Sequence, residues 1–169
     1  MICVPPIGWD IFLAMKYRQL TKEQFESLSF EFAQFLATQK IDVDTWKAIK
    51  EMQPRLAEEK MNLFSDLVWE DVLNKVTYLD HFSSNVVNLF KTEKEQISRI
   101  VIQVKKDIDL LTQKGYEWLL KNPKDHTIEF FKGSKTYSNE RHSEIFDLIE
   151  KGSQVSKGEL FEYFNRLTS

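Results

Sequence analysis

Apolar positions along this chain switch between two periods, and the switches mark its elements. After Thr21, the residues Phe25, Leu28, Phe32, Phe35 and Leu36 recur three and four apart, the stripe of one helix face. Thr21 and Gln24 have the spacing of a capping box, in which each side chain satisfies a backbone N–H at the helix start. A second helix is expected with Asp44 as its cap. Pro54 closes it and opens a third over about 54–76, because proline disfavours helix at the residue before it and suits a first turn. That third helix is apolar over most of its circumference, which predicts a central, largely buried element.

Beyond Tyr78 the period shortens to two. VVNLF (86–90) and ISRIVIQVKK (97–106) are rich in β-branched residues, with Ile100, Ile102 and Val104 on one side and Arg99, Gln103 and Lys105 among the other set. With KTEKEQ as the connection they predict a hairpin over about 86–105, and TIEFF (127–131) offers a third strand. Helical spacing returns at 113–121, ended by Asn122-Pro123, and at 139–150, with Ser138 as cap and Gly152 past the end. A last helix opens on a Ser156/Glu159 capping box and carries Leu160, Tyr163, Phe164 and Leu167. The fold class is α+β, mostly helical, with a small antiparallel sheet.

The segments MKYRQLTKEQ from Met15, FSDLVWEDVLNKV at 64–76 and KGELFEYF at 157–164 resemble a family of small bacterial proteins of unknown function. The resemblance spans about residues 15–169 and implies a bacterial, cytoplasmic protein with its start at Met15. Residues 1–14 then read as an N-terminal extension, or else as an ordered arm that packs Ile7, Trp9, Ile11 and Phe12 on the domain. The remaining 15–169 read as a single globular domain.

Composition narrows the classes. The chain has 169 residues, 42% of them hydrophobic, with 13 phenylalanines, enough for a core without staples. Its 23 basic and 26 acidic residues nearly balance, so no global field draws it to nucleic acid or to an anionic membrane. The lone Cys3 cannot form an internal disulfide and suits a reducing, cytoplasmic setting.

Candidate chemistry is sparse. Gly133-Ser134-Lys135-Thr136 resembles a phosphate loop, but the motif needs glycine directly before lysine and another glycine five residues earlier, where Ile128 stands. It is read as a turn binding no nucleotide. Tyr137 and Arg141, one turn apart at a helix start, could hold an anion. His142 shares a face with Ile145 and Ile149 and reads as a core-edge residue, while His81 and His126 fall in loop-like sequence. Glu59, Asp66 and Glu70 lie within about 40° around the third helix, a ridge able to hold a divalent metal in a metal-dependent enzyme. Arg55, one turn before Glu59, instead suggests a solvated, salt-bridged face. Lys91, Lys94, Arg99, Lys105 and Lys106 give the hairpin a basic excess, the alternative footprint of a nucleic-acid accessory protein. Interleaved acids and sparse aromatics favour sheet-edge protection instead.

Two aromatics fall outside their helix stripes: Phe30, about 200° around from Leu28, and Phe161 in the last helix. Each is either sandwiched between layers or part of a surface that a partner covers. The sequence therefore points to a non-catalytic interaction domain, with no cofactor, no catalytic set, and a protein partner or self-association. Phe30, Phe161, Tyr137 and Arg141 are its candidate binding residues.

Overall fold

The computed structural model describes residues 15–169. In chain order these form α1 (Lys22–Ser27), α2 (Ser29–Thr38), α3 (Val43–Met52), α4 (Pro54–Lys75), β1 (Tyr78–Phe82), β2 (Val86–Thr92) and β3 (Gln96–Val104). There follow α5 (Gln113–Lys121), β4 (Ile128–Thr136), α6 (Arg141–Glu150), β5 (Gln154–Ser156) and α7 (Glu159–Leu167). The strands make one antiparallel sheet in the order β4-β3-β2-β1-β5, so the fold is α+β. The chain divides into two compact units, one ending at Val72 and the other Leu73–Ser169. The expectations for residues 1–14, including Cys3, lie outside the described residues.

In the first unit the capping box forms: the Gln24 N–H donates to Thr21 Oγ1 at 3.2 Å, and the Thr21 N–H donates to Gln24 Oε1 at 2.9 Å. The single predicted stripe is two helices, because the backbone leaves helical geometry at Leu28. Phe25, Phe32 and Phe35 converge on Phe64 of α4, with centroids 5.0–6.0 Å apart, and Trp46 of α3 meets Phe32 edge-on at 5.3 Å. Such pairs add about 0.5–1.5 kcal/mol each beyond their burial. Asp42, not Asp44, caps α3, since the Thr45 N–H donates to its carboxylate at 2.8 Å. The capping side chain must stand just outside the helix to reach its third N–H, and Asp44 is already inside.

Pro54 opens α4 as expected, but the helix is not buried all round. Ala57, Phe64, Ser65, Trp69 and Leu73 line its packed face, while Leu63 and Leu67 are exposed, Leu67 by 53%. An apolar residue count exceeds what one packed face can cover, and the surplus meets water.

In the second unit the predicted hairpin is β2–β3. Leu89 pairs with Ile100 and Val87 with Ile102, and all four are buried with Val104, Leu119 and Phe164 in one core. The hairpin is internal, so its basic residues guard no edge; the edge strands are β4 and β5. Gly133–Thr136 is strand rather than turn, because Gln96–Arg99 offer it backbone partners. α5 occupies the predicted span, whereas β1 and β5 were not predicted, and His81 lies in β1 rather than a loop.

Two helix starts differ from expectation. Ser138 does not cap α6; its N–H donates to the Glu144 carboxylate. Ser156 lies in β5, and α7 begins after Gly158, so no capping box forms there. The end of α6 does follow the rule. Gly152, at φ +102°, and Ser153 return their N–H groups to Ile149 and Leu148, both at 3.0 Å.

Gly158 sits at φ +82°, and a Cβ there would lie 2.5 Å from the Tyr78 ring, whereas a Cβ on Gly133 meets nothing within 4 Å. Gly158→Ala should therefore cost roughly 2–4 kcal/mol in urea unfolding. Gly133→Ala should leave the midpoint unchanged or slightly raised.

Candidate functional site

The acidic ridge is a clamp. Residues 16–20 lie along α4, where the backbone N–H groups of Lys16 and Tyr17 donate to Asp66 at 2.8 and 3.1 Å. The Leu20 N–H donates to buried Ser65 Oγ at 3.0 Å, and the Trp69 indole N–H to the Arg18 carbonyl at 3.1 Å. Glu70 accepts from Tyr17 Oη at 2.6 Å and Lys16 Nζ at 2.9 Å. Burial, then this bond and the Glu70 charge, push the Tyr17 phenol up to about 12. Glu59 ion-pairs with Arg55 at 3.7 Å, as its i,i+4 spacing indicated. Two of the three carboxylates of the metal reading, Asp66 and Glu70, thus bond a neighbouring segment. Among the described residues, no three His, Cys, Asp or Glu side chains gather where a metal ion could be held.

The stretch from Phe130 to Phe146 is equally architectural. Arg141, expected to hold an anion with Tyr137, turns its guanidinium onto backbone carbonyls. Nη1 donates to Leu73 O at 3.0 Å, Nη2 to Val76 O at 2.5 Å and Thr92 O at 3.2 Å, and Nε to Glu93 O at 3.2 Å. Tyr137 Oη donates to the same Glu93 carbonyl at 2.7 Å. A cation opening α6 works against that helix's own dipole. Here it is offset by the last, unsatisfied carbonyls of α4, where the dipole is negative. Lys135 bridges to Glu144 at 3.0 Å. Burial pulls the Glu144 carboxyl up, but Lys135 and the N–H groups of Asn139 and Ser138 outweigh it and hold it below its usual range.

Four of the five basic residues named in the hairpin are engaged as well. Lys91 meets Glu162 at 3.3 Å, Arg99 donates to Asn88 Oδ1 and covers the Phe90 ring, Lys105 pairs with Glu129, and Lys106 lies over Trp118. They form no continuous phosphate-facing stripe.

One feature escaped sequence reasoning. Asp80, in β1, faces a groove of about 500 Å³ lined by Phe82, Leu110, Leu111, Tyr116 and Leu160. Burial raises its carboxyl above the ordinary range, partly offset by the Ser156 hydroxyl, which donates at 3.0 Å. The signal was a lone acid between Leu79 and Phe82 in a strand too short to be recognised.

The two offset aromatics part ways. Phe161 is 4% exposed, in the core with Phe164 and 5.8 Å from the Tyr78 ring. The α7 apolar face is simply wide, and the surface expectation for Phe161 is corrected. Phe30 is 69% exposed on α2 and shares its face with Ala33 and Ala37. Ala33 and Ala37 line an apolar groove of about 380 Å³, walled by Phe32, Leu36, Ile41, Val43 and Trp46.

A family model described as a family of unknown function, DUF6495, matches residues 15–169. The chain belongs to that family. No curated protein and no solved structure matched it. The DUF6495 match begins at Met15, one residue before the segment that Asp66, Ser65 and Glu70 hold against α4. Among the described residues, no helix is long and apolar enough to cross a membrane.

Two measurements check these assignments. Arg141→Ala should cost roughly 2–4 kcal/mol in urea unfolding, by removing a donor from four carbonyls, of which Val76 O and Glu93 O keep a second one, and Arg141→Lys should recover less than half, since a point charge cannot span them. The second concerns pH. Glu162 accepts from Tyr78 Oη at 2.7 Å and from Lys91, and both hold its carboxyl below the usual range. Its contribution is complete above the unfolded glutamate pKa and is lost as pH falls through the lower folded value. Glu162→Gln should thus lower stability at neutral pH and flatten the acid limb of a stability–pH profile; an unchanged limb would refute the assignment.

Proposed function

We propose that this protein is a non-catalytic interaction module of the bacterial cytoplasm, and that it binds another protein chain through the exposed face of α2. The observation that carries this reading is Phe30. A phenylalanine 69% exposed, on a helix whose Ala33 and Ala37 line an apolar groove, presents a large apolar surface to water and is absent from the buried aromatic core. Large aromatics at the centre of an interface supply most of its binding energy, which gives such a residue a use. The engaged states of Arg141, Asp66 and Glu70 support the non-catalytic part: the polar groups that most resembled chemistry already have structural partners. The compartment rests on the single cysteine and on the resemblance to bacterial proteins.

Phe30→Asp tests it. The variant should unfold within about 0.5 kcal/mol of the parent, because an exposed site tolerates charge. It should also lose the capture of its partner from native cells, with sedimentation separating self-association from a different protein. A stability loss of several kcal/mol, or undiminished capture by a folded variant, would refute this use of α2.

A further inference from the structure

We propose that the free edge of β4 is a docking site for an extended, acidic segment of another protein, which adds to the sheet as a sixth strand. The site lies in the second unit and does not depend on the α2 face.

Sheets usually blunt their edges with short strands, prolines or bulges. The β5 edge conforms, with three residues. β4 has only charge, in Lys132 and Lys135: it keeps register with β3 over nine consecutive pairs, from Ile128↔Val104 to Thr136↔Gln96, without proline or bulge. Phe131 through Thr136 are all exposed. The hydrogen-bond phase shows which backbone groups are open. The Lys105 N–H donates to the carbonyl of Thr127, directly opposite, at 2.8 Å. Antiparallel pairs alternate, so Glu129, Phe131, Gly133 and Lys135 also bond toward β3, and Phe130, Lys132 and Ser134 turn their N–H and C=O groups outward. Ile128 confirms the phase, because its outward N–H is taken by Asp125 O at 3.1 Å. With Thr136, which has the same phase, four successive rungs remain, roughly eight backbone hydrogen bonds, each residue offering one donor and one acceptor.

Such an array selects an extended chain, and the flanking surface selects its side chains. A strand's side chains alternate between sheet faces. On one face, a groove of about 610 Å³ runs between the strands and α6, with Val101, Phe131 and Gly133 among its lining. On the other, a groove of about 420 Å³ reaches Phe161 and Asn165. The larger groove carries three cations, Arg99, Lys135 and Lys151, against two carboxylates, Glu144 and Asp147, while on the opposite face Lys132 turns its Nζ to the Asn165 carbonyl at 3.5 Å and adds a further positive charge. That excess favours carboxylates on the incoming strand. It also disfavours a second copy. Symmetric pairing of two β4 strands about their midpoint sets Lys132 directly opposite Lys132, a destabilising like-charge pair.

Random peptides displayed on phage and panned on the purified protein give the test, followed by amide mapping of the selected peptides by NMR. The expected peptides alternate β-branched residues with Asp or Glu, and they protect the amides of Phe130, Lys132 and Ser134 from exchange. Ser134→Pro removes one outward donor and no backbone bond to β3, losing there only the Ser134 Oγ–Ser98 Oγ contact at 2.8 Å, and should weaken binding at least tenfold. Should that variant unfold, Lys132→Glu with Lys151→Glu provides the second arm and should shift selection toward basic peptides. Failure to enrich any peptide, enrichment without acidic bias, or protection elsewhere would overturn the proposal. So would protection of these amides in the protein alone with a dimer in sedimentation, which would make the occupant a second copy.

Discussion

The guanidinium of Arg141 joins elements that are far apart in sequence. Its planar fork reaches Leu73 and Val76 at the end of α4 and Thr92 and Glu93 at the end of β2, while its own backbone opens α6. Each of those carbonyls stands where a helix or strand runs out of backbone partners, and a buried carbonyl without a donor is costly. Thr92 adds to the same knot, its buried hydroxyl donating to Val76 O at 3.0 Å. With α6 fixed at its first residue, Ile145 falls fully buried, and Glu144 is placed to receive Lys135 and the turn before the helix.

How much of this was legible depends on the range of the interaction. The Thr21 capping box, Pro54, the β2–β3 hairpin, α5 and the Gly152 helix end follow from neighbours within a few residues, and the structure has them. β5 was missed because its pairing is distant, Tyr78 with Ser156, and because three residues are too few to show a period; β1 pairs with the adjacent β2, but its five residues, YLDHF, are also too few to show a period. Arg141 was legible as a charged residue at a helix start but not as a carbonyl clasp. Its partners are backbone atoms 48 to 68 residues away, which leave no mark in side-chain pattern. The partners of the acidic ridge were hidden for the same reason: Asp66 serves two N–H groups of the 16–17 segment. Of the offset aromatics, the helical wheel located both but could not tell a wide core face, at Phe161, from an open one, at Phe30.

The polar residues that look most like chemistry thus hold the fold, and the two surfaces proposed for recognition offer an exposed aromatic and an unpaired strand edge. That division would suit the interaction domain proposed above. The α2 face and the β4 edge are helix and strand, so binding there would order little additional chain, which would lower the entropic cost of association.

The division stands or falls on Arg141 being committed in the free protein. Its guanidinium can be watched directly by nitrogen NMR, with inorganic phosphate and ATP added in turn. A clasped Arg141 gives separate, slowly exchanging Nε–H and Nη–H signals that neither addition moves. A single averaged, rapidly exchanging signal that shifts on adding phosphate would contradict it and return the stretch around Arg141 to the status of an anion site.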